Sequence, residues 1–209
     1  MNEIKDRNSP KVCTWKDPKG CKECSLQYNL KCKFHEKYLL SFLISFLIFA
    51  IPAILGLIIS GYGWFILGWI GFMLFFFNFW ESRILCRHCP FYAEDGNILH
   101  CIANYGSYKL WKYNPKPMNK LEKFQLILGF MILGGYPLCF MLLNQQCLIL
   151  FISILGLISF FTILLLKTCS RCINFSCPFN RVPKNIVDAY LKKNPIMKDA
   201  WLEQGYKID

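Results

Sequence analysis

Two long stretches of the chain contain no charged residue. No Lys, Arg, Asp or Glu occurs from Tyr38 to Trp80, and none occurs from Phe124 to Leu166. Each stretch is about twice as long as the roughly 20 apolar residues that one membrane-spanning helix needs. Each stretch must therefore contain two helices that run in opposite directions. The sequence predicts an all-α integral membrane protein with four transmembrane helices.

The middle of each stretch contains a candidate turn. Residues 60–63 read Ser-Gly-Tyr-Gly, and residues 144–146 read Asn-Gln-Gln. Because such residues favour chain reversal, we predict helices at about 38–60, 63–81, 123–143 and 147–167. None of these spans contains an ionisable side chain in its apolar interior. Intramembrane charges mark proton relays and ion pathways, so their absence argues against a proton-coupled pump or an ion channel.

The charged residues divide the chain into alternating segments. All 24 Lys and Arg lie in residues 1–37, 81–123 and 167–209. The two turns at residues 60–63 and 144–146, which lie on the opposite side of the membrane from these segments, have none. The positive-inside rule then places both termini and the middle loop in the cytoplasm of a multi-pass cell-membrane protein. The predicted segments are 1–37, 38–81, 82–123, 124–167 and 168–209. The net charge of +11 thus reflects topology, and we expect a lipid bilayer rather than nucleic acid as the partner.

The two apolar stretches look like copies of one unit. Pro52 and Pro137 lie at equivalent depths, and each stretch is followed by Cys-x-x-Cys and then by Cys-Pro-Phe. The Cys-x-x-Cys pairs are Cys86/Cys89 and Cys169/Cys172, and the Cys-Pro-Phe motifs begin at Cys89 and Cys177. We predict two repeated helix hairpins, each followed by cysteines. Because both copies enter the membrane in the same direction, an approximate two-fold axis along the membrane normal is expected.

Twelve cysteines occur in the chain, and ten of them fall in the predicted cytoplasmic segments. The cytoplasm keeps thiols reduced, so metal binding is a better prediction than a set of disulfides. The first cytoplasmic group is Cys13, Cys21, Cys24 and Cys32. The second is Cys86, Cys89 and Cys101. The third is Cys169, Cys172 and Cys177.

The first group has enough thiolates for one tetrahedral centre in residues 1–37, with His35 as a substitute ligand. This segment is too short for its own hydrophobic core, so a metal would supply its folding energy. The second group has His88 and His100 nearby, and His100 is the candidate fourth ligand. All ten cysteines and His100 are therefore candidate metal ligands.

Two arrangements of the second and third groups are open. Each half of the chain could hold its own three-cysteine site, with His100, water or a partner in the fourth position. Alternatively, Cys86, Cys89, Cys169 and Cys172 could form one four-thiolate centre that joins the halves. Zinc and iron–sulfur clusters both accept four cysteines, and the two Cys-Pro endings favour iron–sulfur modestly.

The order of hairpins and Cys-Pro motifs resembles the membrane ferredoxin-type quinol dehydrogenases of the NapH kind. The matching residues are Cys86, Cys89 and Pro90 in the first half, and Cys172, Cys177 and Pro178 in the second. The resemblance covers hydropathy over residues 38–180 and these short motifs. That family spaces its cysteines by three residues and carries separate ferredoxin domains, whereas this chain has spacings of two and four. The resemblance implies electron exchange between membrane quinol and redox partners.

The sequence supports two main functional hypotheses. In the first, the chain is an integral membrane metal- or iron–sulfur-binding protein that transfers electrons, with quinone and a redox protein as partners. In the second, zinc sites fold a membrane-anchored interaction module without catalysis. A catalytic thiol pair at Cys86/Cys89 is a third reading. The amphipathic tail after Pro183 covers the cysteines, lies on the membrane or docks a partner.

Overall fold

The computed structural model describes residues 24–101 and 103–209. Four of its helices are long and apolar enough to cross a membrane, which confirms the predicted number of spans. They are α1 (Glu36–Ile59), α2 (Phe65–His88), α3 (Lys120–Leu143) and α4 (Cys147–Arg171). The predicted ligands Cys13 and Cys21 lie outside the described residues.

Two of the helices continue further than the sequence predicted. Helix α2 reaches His88 and helix α4 reaches Arg171, whereas we placed their ends near residues 81 and 167. Charged residues mark the end of the apolar run, but a helix can continue beyond it when its polar face finds partners. As a result, Cys86 and Cys169 each lie in the last turn of a spanning helix.

The turns at the far end of the bundle lie where the sequence predicted them. Gly61 has a φ of +78°, a conformation that glycine adopts without steric cost. The Asn144 side chain donates a hydrogen bond to the Ser60 carbonyl at 3.0 Å, which ties the two turns together. At the other end, Asn119 and Glu122 form a reciprocal capping box, so α3 begins at Lys120.

The closest helix contacts join the two hairpins to each other. Helix α1 packs most extensively against α4, where an added Cβ at Gly156 would lie 2.6 Å from the Ile48 carbonyl oxygen. Only glycine permits that approach. Helix α2 packs against α3, where the Trp69 indole donates to the Leu133 carbonyl at 2.8 Å.

Helices α2 and α4 each contain a short π-helical segment. These segments are Phe76–Trp80 and Leu164–Thr168. Each lies within about two turns of the first cysteine of a Cys-x-x-Cys motif. A π-helical segment leaves a carbonyl without its usual helical partner and is frequent at functional sites.

A cap covers the end of the bundle at which the middle loop and the C-terminal tail lie. It consists of residues 24–35, 89–101, 103–119 and 172–209. The cap contains a 3₁₀ turn (Pro90–Ala93), an antiparallel pair of strands, β1 (Ile98–His100) and β2 (Tyr105–Tyr108), and two helices. These helices are α5 (Lys184–Lys192) and α6 (Pro195–Leu202). The strands depart from the all-α prediction, because a run of alternating exposure this short gives little sequence signal.

The cap has a hydrophobic core of its own. It combines residues from the N-terminal segment, the end of α2, the middle loop and the C-terminal tail. The tail contributes Val187, Tyr190, Leu191, Met197 and Trp201, in the same cluster as Cys86 and Cys89. The apolar faces of α5 and α6 therefore pack over the cysteines.

Candidate metal centre

A partly enclosed cavity of about 110 Å³ lies where the bundle meets the cap. Six cysteines line it, three from each half of the chain: Cys86, Cys89, Cys101, Cys169, Cys172 and Cys177. Its bundle side is aromatic, and every spanning helix contributes a phenylalanine: Phe42 and Phe46, Phe77, Phe130, and Phe160. The thiols thus face an apolar space at the base of the bundle.

The two Cys-x-x-Cys motifs have the same local geometry. In each, the first cysteine begins a 3₁₀ turn and the second ends it in an extended conformation. Cys89 has φ −82° and ψ 137°, and Cys172 has φ −78° and ψ 133°. The Cys89 N–H donates to the Cys86 carbonyl at 2.9 Å, and the Cys172 N–H reaches the Cys169 carbonyl at 3.5 Å. Each turn directs two thiols to the cavity.

Backbone N–H groups two residues downstream donate to four of the thiols. Burial has the largest effect on the pKa of each thiol. It raises the pKa of Cys89, Cys101, Cys172 and Cys177, and the pKa of Cys101 reaches about 12. The N–H groups act in the opposite direction and lower the pKa. The donors are Phe91, Ala103, Asn174 and Phe179.

Burial and the N–H donors act in opposite directions on the thiols, and burial is the stronger of the two. A buried thiolate is unfavourable in an apolar cavity, and the N–H donors offset only part of that cost. A bound metal removes the proton and supplies the missing positive charge. The donor set therefore fits a thiophilic metal, and that metal would supply either folding energy or one-electron redox chemistry.

The cysteines surround a space instead of converging on a point. Among residues 24–101 and 103–209, no three His, Cys, Asp or Glu side chains lie close enough together to hold one ion. A single zinc ion would require four sulfurs at about 2.3 Å from one centre. A water molecule needs about 10–15 Å³ of such cavity volume, so the cavity of about 110 Å³ has room for a larger group.

Two asparagine side chains hold the cysteine turns in place. The Asn104 amide donates to the Phe77 carbonyl at 2.6 Å, within the π-helical segment of α2, and lies 3.7 Å from the Cys86 sulfur. The Asn174 amide donates to the Leu85 carbonyl at 3.1 Å and so connects the two halves. Lys31 also lines the cavity, and burial lowers its pKa while the Cys172 thiolate opposes that shift.

The structure places all six predicted cysteine ligands of the second and third groups around one cavity. This arrangement includes the four cysteines of the shared-centre hypothesis and adds Cys101 and Cys177. Cys172 lies in electrostatic range of thiols from both halves, since it raises the pKa of Cys89, Cys101 and Cys177. Ligation itself stays a prediction.

The histidines lie elsewhere. His100 Nδ1 is 3.6 Å from the Glu94 carboxylate, and its ring is not part of the cavity lining. His88 uses both nitrogens: Nδ1 donates to the Lys116 carbonyl at 2.6 Å, and Nε2 is 3.3 Å from Glu122. His88 therefore anchors the first Cys-x-x-Cys turn to the start of α3.

The described half of the first cysteine group lies at a second cavity of about 300 Å³. Cys24, Cys32 and His35 line it, beside Lys31. Burial raises the pKa of Cys24, but the Leu26 N–H and Lys193 outweigh it, and the net pKa is lowered. The Lys193 ammonium lies 3.3 Å from the Cys24 sulfur. The predicted centre in residues 1–37 remains a prediction, because two of its cysteines lie outside the described residues.

The chain matches no protein-family model, no curated protein and no solved structure. The resemblance to NapH-like proteins therefore stays a prediction that rests on the motifs alone.

Sequence reasoning did not identify the polar residues other than cysteine that line this cavity. Lys31, Glu81 and Asn104 are among them. A weak signal exists for two of them, since Asn104 follows Cys101 closely and Glu81 precedes Cys86 by five residues. Lys31 has no such signal, because its backbone reaches the cavity through a long-range hydrogen bond to the Arg171 carbonyl at 2.8 Å.

Proposed function

We propose that this protein is a membrane electron-transfer protein with one iron–sulfur centre shared by both halves of the chain. The centre lies in the six-cysteine cavity at the base of the bundle. It exchanges single electrons between a carrier in the membrane and a redox protein that docks on the cap. The observation that carries the proposal is the size of the space that the cysteines enclose.

The cavity favours a cluster over a single ion. Six thiols border a volume of about 110 Å³, and no three of the described donors converge on one point. A mononuclear zinc site would leave no such space, because its sulfurs lie about 2.3 Å from the ion. Iron–sulfur clusters are larger, and cysteine thiolates hold them at their corners.

The helix packing supports the proposed repeat. A two-fold axis along the membrane normal would exchange α1 with α3 and α2 with α4. It would therefore exchange the α1–α4 contact with the α3–α2 contact, and both of these contacts join one hairpin to the other. The matching Cys-x-x-Cys geometries fit the same axis. Duplication of one hairpin with its cysteines explains why each half supplies three thiols.

The bundle wall of the cavity suits an apolar carrier. Phe42, Phe46, Phe130 and Phe160 form this wall, and the surface that lines the cavity as a whole is almost entirely apolar. A quinone-class molecule would approach the thiols along this wall without crossing the cap. The cap separates the cysteines from water through Tyr190, Leu191 and Trp201. The two sides of the cavity thus suit two different partners.

Metal analysis tests the proposal directly. Protein purified in detergent without oxygen is expected to be brown and to contain several iron atoms and acid-labile sulfide per chain. Visible absorbance, iron and zinc content, and electron paramagnetic resonance after dithionite reduction measure this. A variant with Cys139 replaced by alanine is the matched control, because this thiol is exposed on α3 and lies outside the cavity.

The zinc hypothesis predicts a different result. A colourless protein with stoichiometric zinc and no sulfide would contradict electron transfer and favour the non-catalytic interaction module. Detergent extraction in the presence of a competing iron or zinc salt would separate the native metal from adventitious loading.

We also propose that the cap and both termini face the cytoplasm, as the positions of the Lys and Arg residues indicate. Cys147 begins helix α4 at the opposite end of the bundle and is exposed. In intact cells, a membrane-impermeant maleimide is expected to label this thiol, and the Cys147→Ala variant should lose the label. Labelling that requires inverted membranes would mean that the orientation is reversed.

A further inference from the structure

Glu81 is a buried carboxylic acid in the wall of the six-cysteine cavity. Its exposed fraction is 3%, and it lies in helix α2 immediately after the π-helical segment Phe76–Trp80. One of its oxygens, Oε2, is buried without a hydrogen-bond partner in the described part of the chain. A buried polar atom of this kind costs free energy unless something absent from the protein chain satisfies it.

Nearby charges do not explain this position. No Lys, Arg or His of the described residues forms a salt bridge with Glu81. The carboxylate instead lies in electrostatic range of three cavity thiols, those of Cys86, Cys101 and Cys177. An acid among thiols is doubly unfavourable in an apolar space, because like charges add to the cost of burial.

A structural role fits less well. Among the other buried acids, Glu94 lies 3.6 Å from the His100 ring nitrogen Nδ1 and is not part of the cavity lining. Glu122 accepts hydrogen bonds from Arg87 and from the Asn119 N–H in its capping box. In contrast, the free oxygen of Glu81 belongs to a residue that lines the cavity.

We propose that Glu81 supplies an oxygen ligand to the metal centre held by the cavity cysteines. This inference rests on the proposed function and extends it, because it assigns a mixed sulfur and oxygen donor set. A metal cation would satisfy the unpartnered oxygen and would also offset the carboxylate's charge. Carboxylate oxygen is a harder donor than thiolate, so the metal atom that it binds differs from its all-sulfur neighbours.

The five-residue separation between Glu81 and Cys86 agrees with this role. The intervening segment Glu81–Ile84 is helical and ends in the 3₁₀ turn that presents Cys86. The π-helical segment before it shifts the helical register by one residue, and the freed Phe77 carbonyl accepts a hydrogen bond from Asn104. Without this shift, residue 81 would lie on a different face of α2.

X-ray absorption at the edge of the bound metal tests the proposal. The full chain should carry Cys24→Ser and Cys32→Ser so that the first cysteine group contributes no metal. The first coordination shell of the bound metal is expected to contain sulfur and about one oxygen per centre. In zinc sites these ligands lie at about 2.3 Å and about 2.0–2.2 Å. The Glu81→Leu variant should lose the oxygen contribution, and Glu94→Gln should retain it.

The possible outcomes have different meanings. A first shell of sulfur alone, or an oxygen contribution that persists in Glu81→Leu, would overturn the assignment of Glu81 while leaving the proposed function intact. A chain without bound metal would overturn both. If Glu81→Leu does not fold, Glu81→Cys decides the question: metal retained in an all-sulfur shell supports ligation, and an unchanged oxygen contribution refutes it.

Discussion

Replacing Cys172 with serine is expected to abolish the shared metal centre, with at least a tenfold loss of the iron attributable to it. Cys172 is the thiol in electrostatic range of cysteines from both halves, including Cys89 and Cys101 in the first half and Cys177 in the second. A shared cluster loses its cross-link when this thiol is removed. Metal per chain and the visible spectrum measure the effect in anaerobic detergent solution.

Two controls make the result specific. Cys139→Ser changes an exposed thiol on α3 and should leave the spectrum unchanged. Cys24→Ser acts at the second cavity and should remove at most the metal of the first group.

The same experiment separates the two ligand arrangements. If each half holds its own site, Cys172→Ser should remove the metal of the second half and leave that of the first. A loss of about half of the cavity metal would therefore contradict a shared centre. Parallel changes at Cys86 and Cys169 extend the comparison, since a shared centre requires that either one alone gives the full loss.

The fold was predictable because one physical constraint dominates it. In a bilayer every backbone polar group must find a partner within the chain, so long uncharged stretches fold as helices. The two uncharged stretches and their polar midpoints were sufficient to predict four spans and both far-side turns. The helix ends at His88 and Arg171 were not predictable from hydropathy, because cap contacts and not lipid stabilise those last turns.

The site was predictable only in part, for a related reason. Short motifs identified Cys86, Cys89, Cys169 and Cys172, since each pair is local in sequence. Their convergence on one cavity depends on how α2 and α4 pack, which a single sequence does not specify. Glu81 escaped notice because an acid next to Trp80 at the end of an apolar run looks like an ordinary interfacial charge. Its significance appears only when its burial and its unpartnered oxygen are known.

The C-terminal tail is expected to control how tightly the centre is held, and Leu191→Ala tests this. Leu191 lies on α5, is fully buried and belongs to the hydrophobic cluster that contains Cys86 and Cys89. Truncation of a buried leucine to alanine costs about 2–5 kcal/mol. If that cost falls on local opening of the cap, even about 2 kcal/mol raises the open population about 30-fold.

Metal transfer to an excess of a colorimetric chelator measures this opening. The Leu191→Ala variant should bind metal initially in the normal amount and then release it about 30-fold faster or more. Leu202→Ala is the matched control, because Leu202 ends the neighbouring helix α6 with 43% of its surface exposed and should release metal at the wild-type rate. Equal rates for both variants would show that metal leaves by another route, such as the bundle side lined by Phe42 and Phe160. In that case the aromatic wall, and not the tail, would be the barrier that protects the thiolates.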